Sequence, residues 1–298
     1  CAVALAECVH EAGLPKGVFQ MLVGPAADVA QEFIANPLCR KVTFTGSSPV
    51  GRELIRAAAD YVKPLSLELG GQAPVLVFDD AELEQAVEGA MIAKFRNIGQ
   101  SCIAANRVYV QKGIYDRFLQ RFKERTEAMK VGPGTDPEVE IGPLIDRAAV
   151  EEAHRHVKDA VDKGAKLICG GEPVAGMEGC FFPPTVLAEV PDDAVCMREE
   201  TFAPVAPFTV FETEEEGIAR ANECDDGLSA YAFTRDVGRV FRLAEALEAG
   251  SIGINDGAPT ASQAPFGGLK QSGWGRELGM EGMDAFLDTK HVSLGYIS

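Results

Sequence analysis

Apolar positions along the first seventy residues alternate between two periods. Val3, Leu5, Ala6 and Val9 recur at helical spacing, which predicts a helix over 2–12, stopped by Gly13 and Pro15. Residues 18–23 read as a strand, 27–35 as a helix closed by Asn36-Pro37, 41–45 as a strand, 50–59 as a helix and 65–69 as a strand. Strands that alternate with helices imply crossover units and a parallel sheet. After Gly70-Gly71 the alternation resumes. Strands are predicted over 74–78, 107–111, 166–168, near Thr185, and over 205–211, 228–234 and 251–255. Helices are predicted over 81–95, 115–129, 146–163, 214–222 and 237–249, making a second α/β unit. Residues 267–279 are Gly-rich and polar and read as a loop. Residues 288–297 read as an exposed strand, which needs a partner edge and so points to oligomerisation.

The composition narrows the functional classes. The chain has 298 residues, 46% hydrophobic and 24% charged, enough for one large domain or two ordinary ones. Its formal net charge of −17 argues against nucleic acid or an anionic membrane as partner, because either wants a basic patch. The acidic run 212–216 fits a solvated helix start. The eight cysteines form no Cys-x-x-Cys pair and no zinc spacing with histidine, and they are too sparse for a disulfide scaffold, so a reducing, cytoplasmic compartment is expected. His154 and His156 lie two apart in a helical stretch and are expected at the surface, on different faces. No apolar run approaches the length of a membrane span. The chain opens at Cys1 inside an amphipathic helical pattern, and a preceding segment is expected.

Several segments are candidates for chemistry, and each has a plain structural reading beside the chemical one. In Thr43-Phe44-Thr45-Gly46-Ser47-Ser48-Pro49-Val50-Gly51 a strand ends, glycine turns the chain and a helix begins, so free N–H groups can face a pyrophosphate. The segment has neither the G-x-G-x-x-G fingerprint nor a P-loop lysine, and an ordinary strand-to-helix turn fits as well. Glu68 ends an apolar strand between Leu67 and Leu69. It is either a solvated carboxylate or, in apolar surroundings, a base with a raised pKa. Cys102 follows a Gly99-Gln100-Ser101 turn, where backbone N–H groups can stabilise a thiolate; a small core residue is the alternative. Arg96 is a surface residue at a helix end or a guanidinium clamp for a substrate carboxylate. Glu199-Glu200-Thr201-Phe202-Ala203-Pro204 and Pro265-Phe266-Gly267-Gly268 read singly as a solvated turn and a flexible loop.

Together these segments resemble the aldehyde dehydrogenase superfamily. The matching pieces occur in family order: Phe44-Thr45-Gly46-Ser47, Leu67-Glu68-Leu69-Gly70-Gly71, Gly99-Gln100-Ser101-Cys102, Glu199-Glu200-Thr201-Phe202 and Pro265-Phe266-Gly267-Gly268. The resemblance covers the whole chain as the C-terminal part of a longer member. It implies an α/β, aldehyde dehydrogenase-like fold: the remainder of a Rossmann-type NAD(P) domain over 1–70, a catalytic thiol domain over 71–266, and a C-terminal loop and oligomerisation strand over 267–298. It further implies that Cys102 is the nucleophile, passing through a thiohemiacetal and a thioester, and that Glu68 is the base that activates water. It places Gly46, Ser47, Gly51, Leu69, Gly70, Glu200 and Phe202 at NAD or NADP, with Glu200 on the nicotinamide ribose. The backbone N–H of Cys102 would be half of an oxyanion hole. The family's oxyanion-hole asparagine, its adenine-side lysine and its NAD-versus-NADP fingerprint lie upstream of this segment. Ala203 stands where many members have glycine.

Phe95-Arg96-Asn97-Ile98-Gly99-Gln100-Ser101-Cys102 is similar to the succinate-semialdehyde dehydrogenase branch, where the arginine holds the substrate's distal carboxylate. Residues 255–264 would line the substrate tunnel, with Thr260 and Ser262 as further donors. Ala104 stands where some members carry a second, redox-active cysteine, so no local disulfide is expected there. The resemblance therefore implies oxidation of a short carboxylate-bearing aldehyde by a homodimer or homotetramer. Alternatives are a glutarate- or ketoglutarate-semialdehyde dehydrogenase, a broad aldehyde dehydrogenase, and an inactive structural or binding relative. No metal, nucleic acid or membrane is expected.

Overall fold

The computed structural model describes residues 1–174 and 176–296. The chain separates into two units, Cys1–Val42 with Arg52–Pro64, and Thr43–Gly51 with Leu65–Ser298. In chain order the elements are α1 (Ala2–Glu11), α2 (Ala26–Ala35), β1 (Val42–Thr45), α3 (Ser48–Ala59), β2 (Leu65–Glu68), β3 (Pro74–Val77), α4 (Leu83–Phe95), β4 (Arg107–Gln111), α5 (Tyr115–Glu127), α6 (Arg147–Asp162), β5 (Lys166–Cys169), β6 (Thr185–Ala188), β7 (Val205–Phe211), α7 (Glu214–Asn222), β8 (Asp226–Gly227), β9 (Ser229–Phe233), α8 (Val237–Ala246), β10 (Ser251–Ile254), β11 (Leu269–Lys270), β12 (Gly273–Trp274) and α9 (Gly279–Asp284).

The first unit holds α1, α2 and the later part of α3. α1 buries no residue and α2 buries only Ile34. The free carbonyls at the end of α2 are met by Lys63, whose Nζ donates to Phe33 O at 2.6 Å and Asn36 O at 2.9 Å. Residues 18–23 do not form the expected strand. Their alternation is suitable, but an extended segment becomes a strand only beside a hydrogen-bonding neighbour, and no described residue pairs with it in a ladder.

The second unit is built on a seven-stranded sheet in the order β10-β9-β3-β4-β7-β6-β5. It is parallel except at its edge, where β5 runs antiparallel to β6. Central strands β3 and β9 are buried at every position, so they read as continuous apolar runs rather than as alternating ones. Successive side chains on each strand enter two different cores. Val75, Val77, Val108, Val110 and Phe208 meet α4 and α5, where Phe122 packs edge-on to Phe208 at 4.9 Å. Leu76, Phe78, Tyr109 and Phe211 meet α6, α7 and α8 on the other face.

The Gly-rich stretch 267–279 is not a free loop. β12 adds to a three-stranded sheet of order β1-β2-β12 and pairs antiparallel with β2, Gly273 opposite Glu68. β11 pairs with β8. The described part of the expected terminal strand, 288–296, forms no ladder within this chain, and Ile297 lies outside the described residues. None of the described helices is long and apolar enough to cross a membrane.

Candidate active site

The thiol is positioned by a backbone turn that ordinary residues resist. α4 stops at Phe95, and Asn97, Ile98 and Gly99 follow with φ of 52°, 64° and 75°. Left-handed backbone costs an L-residue roughly 1–2 kcal/mol, and a β-branched isoleucine is a rare occupant. Local contacts hold the turn in place. Asn97 Nδ2 donates to Gln100 O at 2.6 Å, Gln100 Oε1 accepts from Ile145 N at 2.9 Å, and Ile98 packs on both cores. At Gly99 only glycine fits, because a Cβ there would lie 2.4 Å from Ala203 O. Cys102 emerges half-buried beyond this turn. Burial pushes its thiol above the ordinary range, as do the charges of Glu200 and Glu68, and hydrogen bonds from the N–H groups of Cys102 and Ile103 oppose them. The expected N–H stabilisation is present, but burial and the two carboxylates outweigh it.

Glu68 ends β2 only 3% exposed, between buried Leu67 and Leu69. Its carboxyl is driven up to about 7, first by burial, then by the Glu277 charge, against the lowering influence of Arg276. Its Oε2 has no hydrogen-bond partner among the described residues. Ser272 fixes this end of the strand: its Oγ donates to Gly70 O at 2.7 Å and accepts from Gly227 N at 3.0 Å, and its carbonyl accepts from Leu69 N at 3.0 Å. Gly71 then lets the Glu68 segment touch the thiol loop, since a Cβ there would lie 2.6 Å from Cys102 O.

The Gly46 turn joins the same site. Gly46 N donates to Glu68 O at 3.0 Å, and a Cβ on Gly51 would meet the Leu69 side chain at 2.6 Å, so the first turn of α3 rests on Leu69. Glu200 is not a solvated turn residue. Its Oε1 accepts from Gly71 N at 3.3 Å, and a Cβ on Gly70 would lie 2.8 Å from its Oε2 and 3.5 Å from Ser48 Oγ. Burial pushes Glu200 up to about 7; the Gly71 N–H and Lys94 lower it and Asp226 raises it. Phe202 follows with φ 46° and a half-exposed ring.

Arg96 is exposed at the end of α4. Its charge acts on a residue that Cys102 also affects: Tyr231, whose hydroxyl donates to Ile103 O at 2.6 Å, is pushed up to about 12 by burial, with Arg96, Cys102 and Asp256 also acting on it. The loop 255–264 begins against the same helix, since a Cβ on Gly257 would lie 3.2 Å from Ala93 N. Thr260 and Ser262 are exposed on that loop, and no hydrogen bond among the described residues ties them to Arg96.

Sequence reasoning missed several residues that support this site. Asn106 fastens the Glu200 segment: its Nδ2 donates to Cys196 O at 3.2 Å and Glu199 O at 3.0 Å, and its Oδ1 accepts from Thr201 N at 2.9 Å. Lys94 and Ser272 are buried as well. A lysine between Ala93 and Phe95 in an apolar run was a visible signal; the other two had none. His156 is not at the surface. It is fully buried, 3.3 Å from Thr201 Oγ1, and the guanidinium of Arg155 fills the space between Glu152 and Glu199 beside it. Helical spacing separated His156 from His154 correctly but did not give its depth.

Glu68 and the Gly46 turn on the small sheet lie together with Cys102 on the loop before β4 in a mixed α/β fold, and the chain belongs to the aldehyde dehydrogenase family, whose model matches residues 1–292. It is 49% identical to a glutarate-semialdehyde dehydrogenase of Pseudomonas aeruginosa and 49% identical to an NADP(+) succinate-semialdehyde dehydrogenase of Escherichia coli, each over 99% of this chain and 61% of the relative. A solved Escherichia coli NADP-dependent enzyme superposes with a TM-score of 0.94 at 49% identity, covering 96% of this chain and 60% of that one. The expected α/β, aldehyde dehydrogenase-like fold is borne out. The chain spans about three-fifths of the length of the curated relatives it matches.

Proposed function

We propose that the protein oxidises a short carboxylate-bearing aldehyde, succinate semialdehyde first, to the acid. The observation that carries this reading is that the turn beginning at Arg96 and leading to Cys102 packs against the Gly70-Gly71 segment that follows Glu68. Cys102 Sγ attacks the aldehyde carbon, and the oxyanion that forms is met by the N–H of Cys102. The resulting thiohemiacetal loses hydride to become a thioester. Glu68, uncharged when protonated and basic once ionised near neutrality, takes a proton from the water that hydrolyses this ester. A bound NAD or NADP supplies the hydride acceptor. The residues present fit such a group: the α3 N-terminus beyond Gly46-Ser47 suits pyrophosphate, Gly70 leaves open the space beside Glu200, and the exposed Phe202 ring offers a face to the nicotinamide. Gly51 and Leu69 support that turn, and Glu200 would accept from the ribose hydroxyls. In this reading 1–70 belongs to the cofactor domain, 71–266 carries the thiol chemistry and 267–298 serves oligomerisation. The eight free thiols favour a cytoplasmic setting.

Arg96 sets substrate choice by pairing with the distal carboxylate, with Thr260 and Ser262 as secondary donors. The test is kcat/KM for succinate semialdehyde against butanal, measured on the whole protein. Arg96→Ala should reduce the preference for the charged substrate by about 10- to 150-fold, as expected for a lost charge-assisted contact. An unchanged ratio would remove Arg96 from the substrate site. Glutarate semialdehyde is the second reading, because a relative of that name is as similar as the succinate enzyme; the ratio of the two semialdehydes decides between them.

A further inference from the structure

Residues 193–201 run antiparallel along one side of α6 and are tied to it turn by turn. Lys163 Nζ donates to Asp193 O at 2.7 Å, Asp159 Oδ2 accepts from Val195 N at 2.7 Å, and Arg155 Nη2 donates to Glu199 Oε2 at 2.5 Å. Lys163, Asp159 and Arg155 follow one another by about one helical turn, so they share a face of α6. His156 makes the last tie, with Nδ1 3.3 Å from Thr201 Oγ1. The Arg155–Glu199 pair lies at the surface and adds little stability. The His156–Thr201 contact is buried, with His156 0% and Thr201 3% exposed. Among the described residues the Thr201 hydroxyl meets only that ring nitrogen. The other ring nitrogen, Nε2, lies 3.1 Å from Glu152 Oε1, and an ionised carboxylate can only accept. Arg155 Nη2 is 3.2 Å from Nε2 but closer, at 2.5 Å, to oxygens of Glu152 and Glu199. Burial favours a neutral ring. Such a ring donates from Nε2 to Glu152 and accepts the Thr201 hydroxyl at Nδ1.

Glu199 and Thr201 therefore face α6. Glu200, between them, is turned the opposite way, where its Oε1 accepts from Gly71 N at 3.3 Å. Asn106 holds only main-chain groups of this segment, which leaves its facing to the side-chain ties. The next residue, Phe202, has a left-handed φ of 46°, which also needs contacts outside itself to persist. We propose that His156, through the Thr201 hydroxyl, is a positioning residue that sets the facing of the Glu199–Phe202 segment and so aims Glu200 at the cofactor ribose. The inference rests on the ribose role of Glu200 proposed above.

The test is steady-state kinetics on the whole protein, with the cofactor KM and the aldehyde KM read separately, for Thr201→Ser, Thr201→Val and His156→Gln, each also in a Glu200→Gln background. Glutamine puts its amide where Nε2 stood and leaves Nδ1 without a counterpart. Thr201→Val and His156→Gln should raise the cofactor KM about 2- to 10-fold, the reach of one neutral hydrogen bond, with the aldehyde KM unchanged. Thr201→Ser keeps the hydroxyl and should match the parent. In the Glu200→Gln background the effect should vanish, because no carboxylate is left to aim. A parent-like cofactor KM in Thr201→Val, or equal values for Thr201→Ser and Thr201→Val, overturns the His156 role alone. Losses shared by both KM values, losses that persist without the Glu200 carboxylate, or a Thr201→Val protein that does not fold assign the bond to stability and overturn that role too. Should His156→Gln not fold, the two Thr201 variants decide. A Glu200→Gln variant with the parent's cofactor KM overturns the ribose role and the inference with it.

Discussion

Burial places the Glu68 carboxyl near 7, so the fraction able to act as base grows through the neutral range. The deacylation rate should therefore rise with a limb centred near pH 7, and Glu68→Gln should abolish the limb and lower kcat by about 10²–10⁴-fold, read by steady-state kinetics across pH. The same shift has the opposite sign for stability: the folded state holds this proton more tightly than the unfolded one, so the contribution of Glu68 declines as pH rises from the ordinary carboxylate range through 7. Cys102 responds to its neighbours in turn. Because Glu200 and Glu68 both hold its thiol up, Glu200→Gln or Glu68→Gln should speed carboxymethylation of Cys102 at pH 8, quantified by peptide mass spectrometry to separate it from the exposed Cys1 and Cys8. An unchanged rate would show that the charges do not reach the sulfur. Cys102, Glu68, Glu200 and Arg96 were all visible in sequence because their neighbours form ordered motifs. Asn106 and Ser272 act through distant segments, and no local pattern announces a contact across ninety residues or more, as from Asn106 to Cys196.

Among the elements, the short pairings hold the site. Ser272 satisfies the Gly70 carbonyl and the Gly227 N–H, so Ser272→Ala leaves two buried backbone groups without that partner and should cost about 1–3 kcal/mol of unfolding free energy, seen as a lower denaturant midpoint. Gly71→Ala should act differently. Its Cβ would press on the backbone carbonyl of Cys102 at 2.6 Å, so thiol placement and kcat suffer while the far-ultraviolet circular dichroism spectrum stays the same. Strands and helices with a clear period were legible, β4, β7 and α7 to the residue. Residues 18–23 were misread because pairing is not a local property, and β12 was invisible because two residues carry no period.

For the whole molecule, the parallel sheet and its two cores follow from the order of the elements, whereas what lies beyond the chain's own contacts does not. Phe286, Leu287, Val292, Leu294 and Tyr296 stay exposed, Tyr296 to 96%, which supports an intermolecular role for this end. Deleting 288–298 from the whole protein should lower the oligomer mass in size-exclusion chromatography with light scattering; an unchanged mass would assign assembly to other surfaces. The hydrogen bond from Ser272 to Gly70 spans 202 residues and also bears on the order of events during synthesis. A growing chain displays Cys102 long before the segment that seats Glu68 has left the ribosome. A product that ends before Ser272 would carry both Cys102 and Glu68 but lack the residue that fixes the strand end bearing Glu68, so the two side chains take their mutual placement only when the C-terminal segment has folded back.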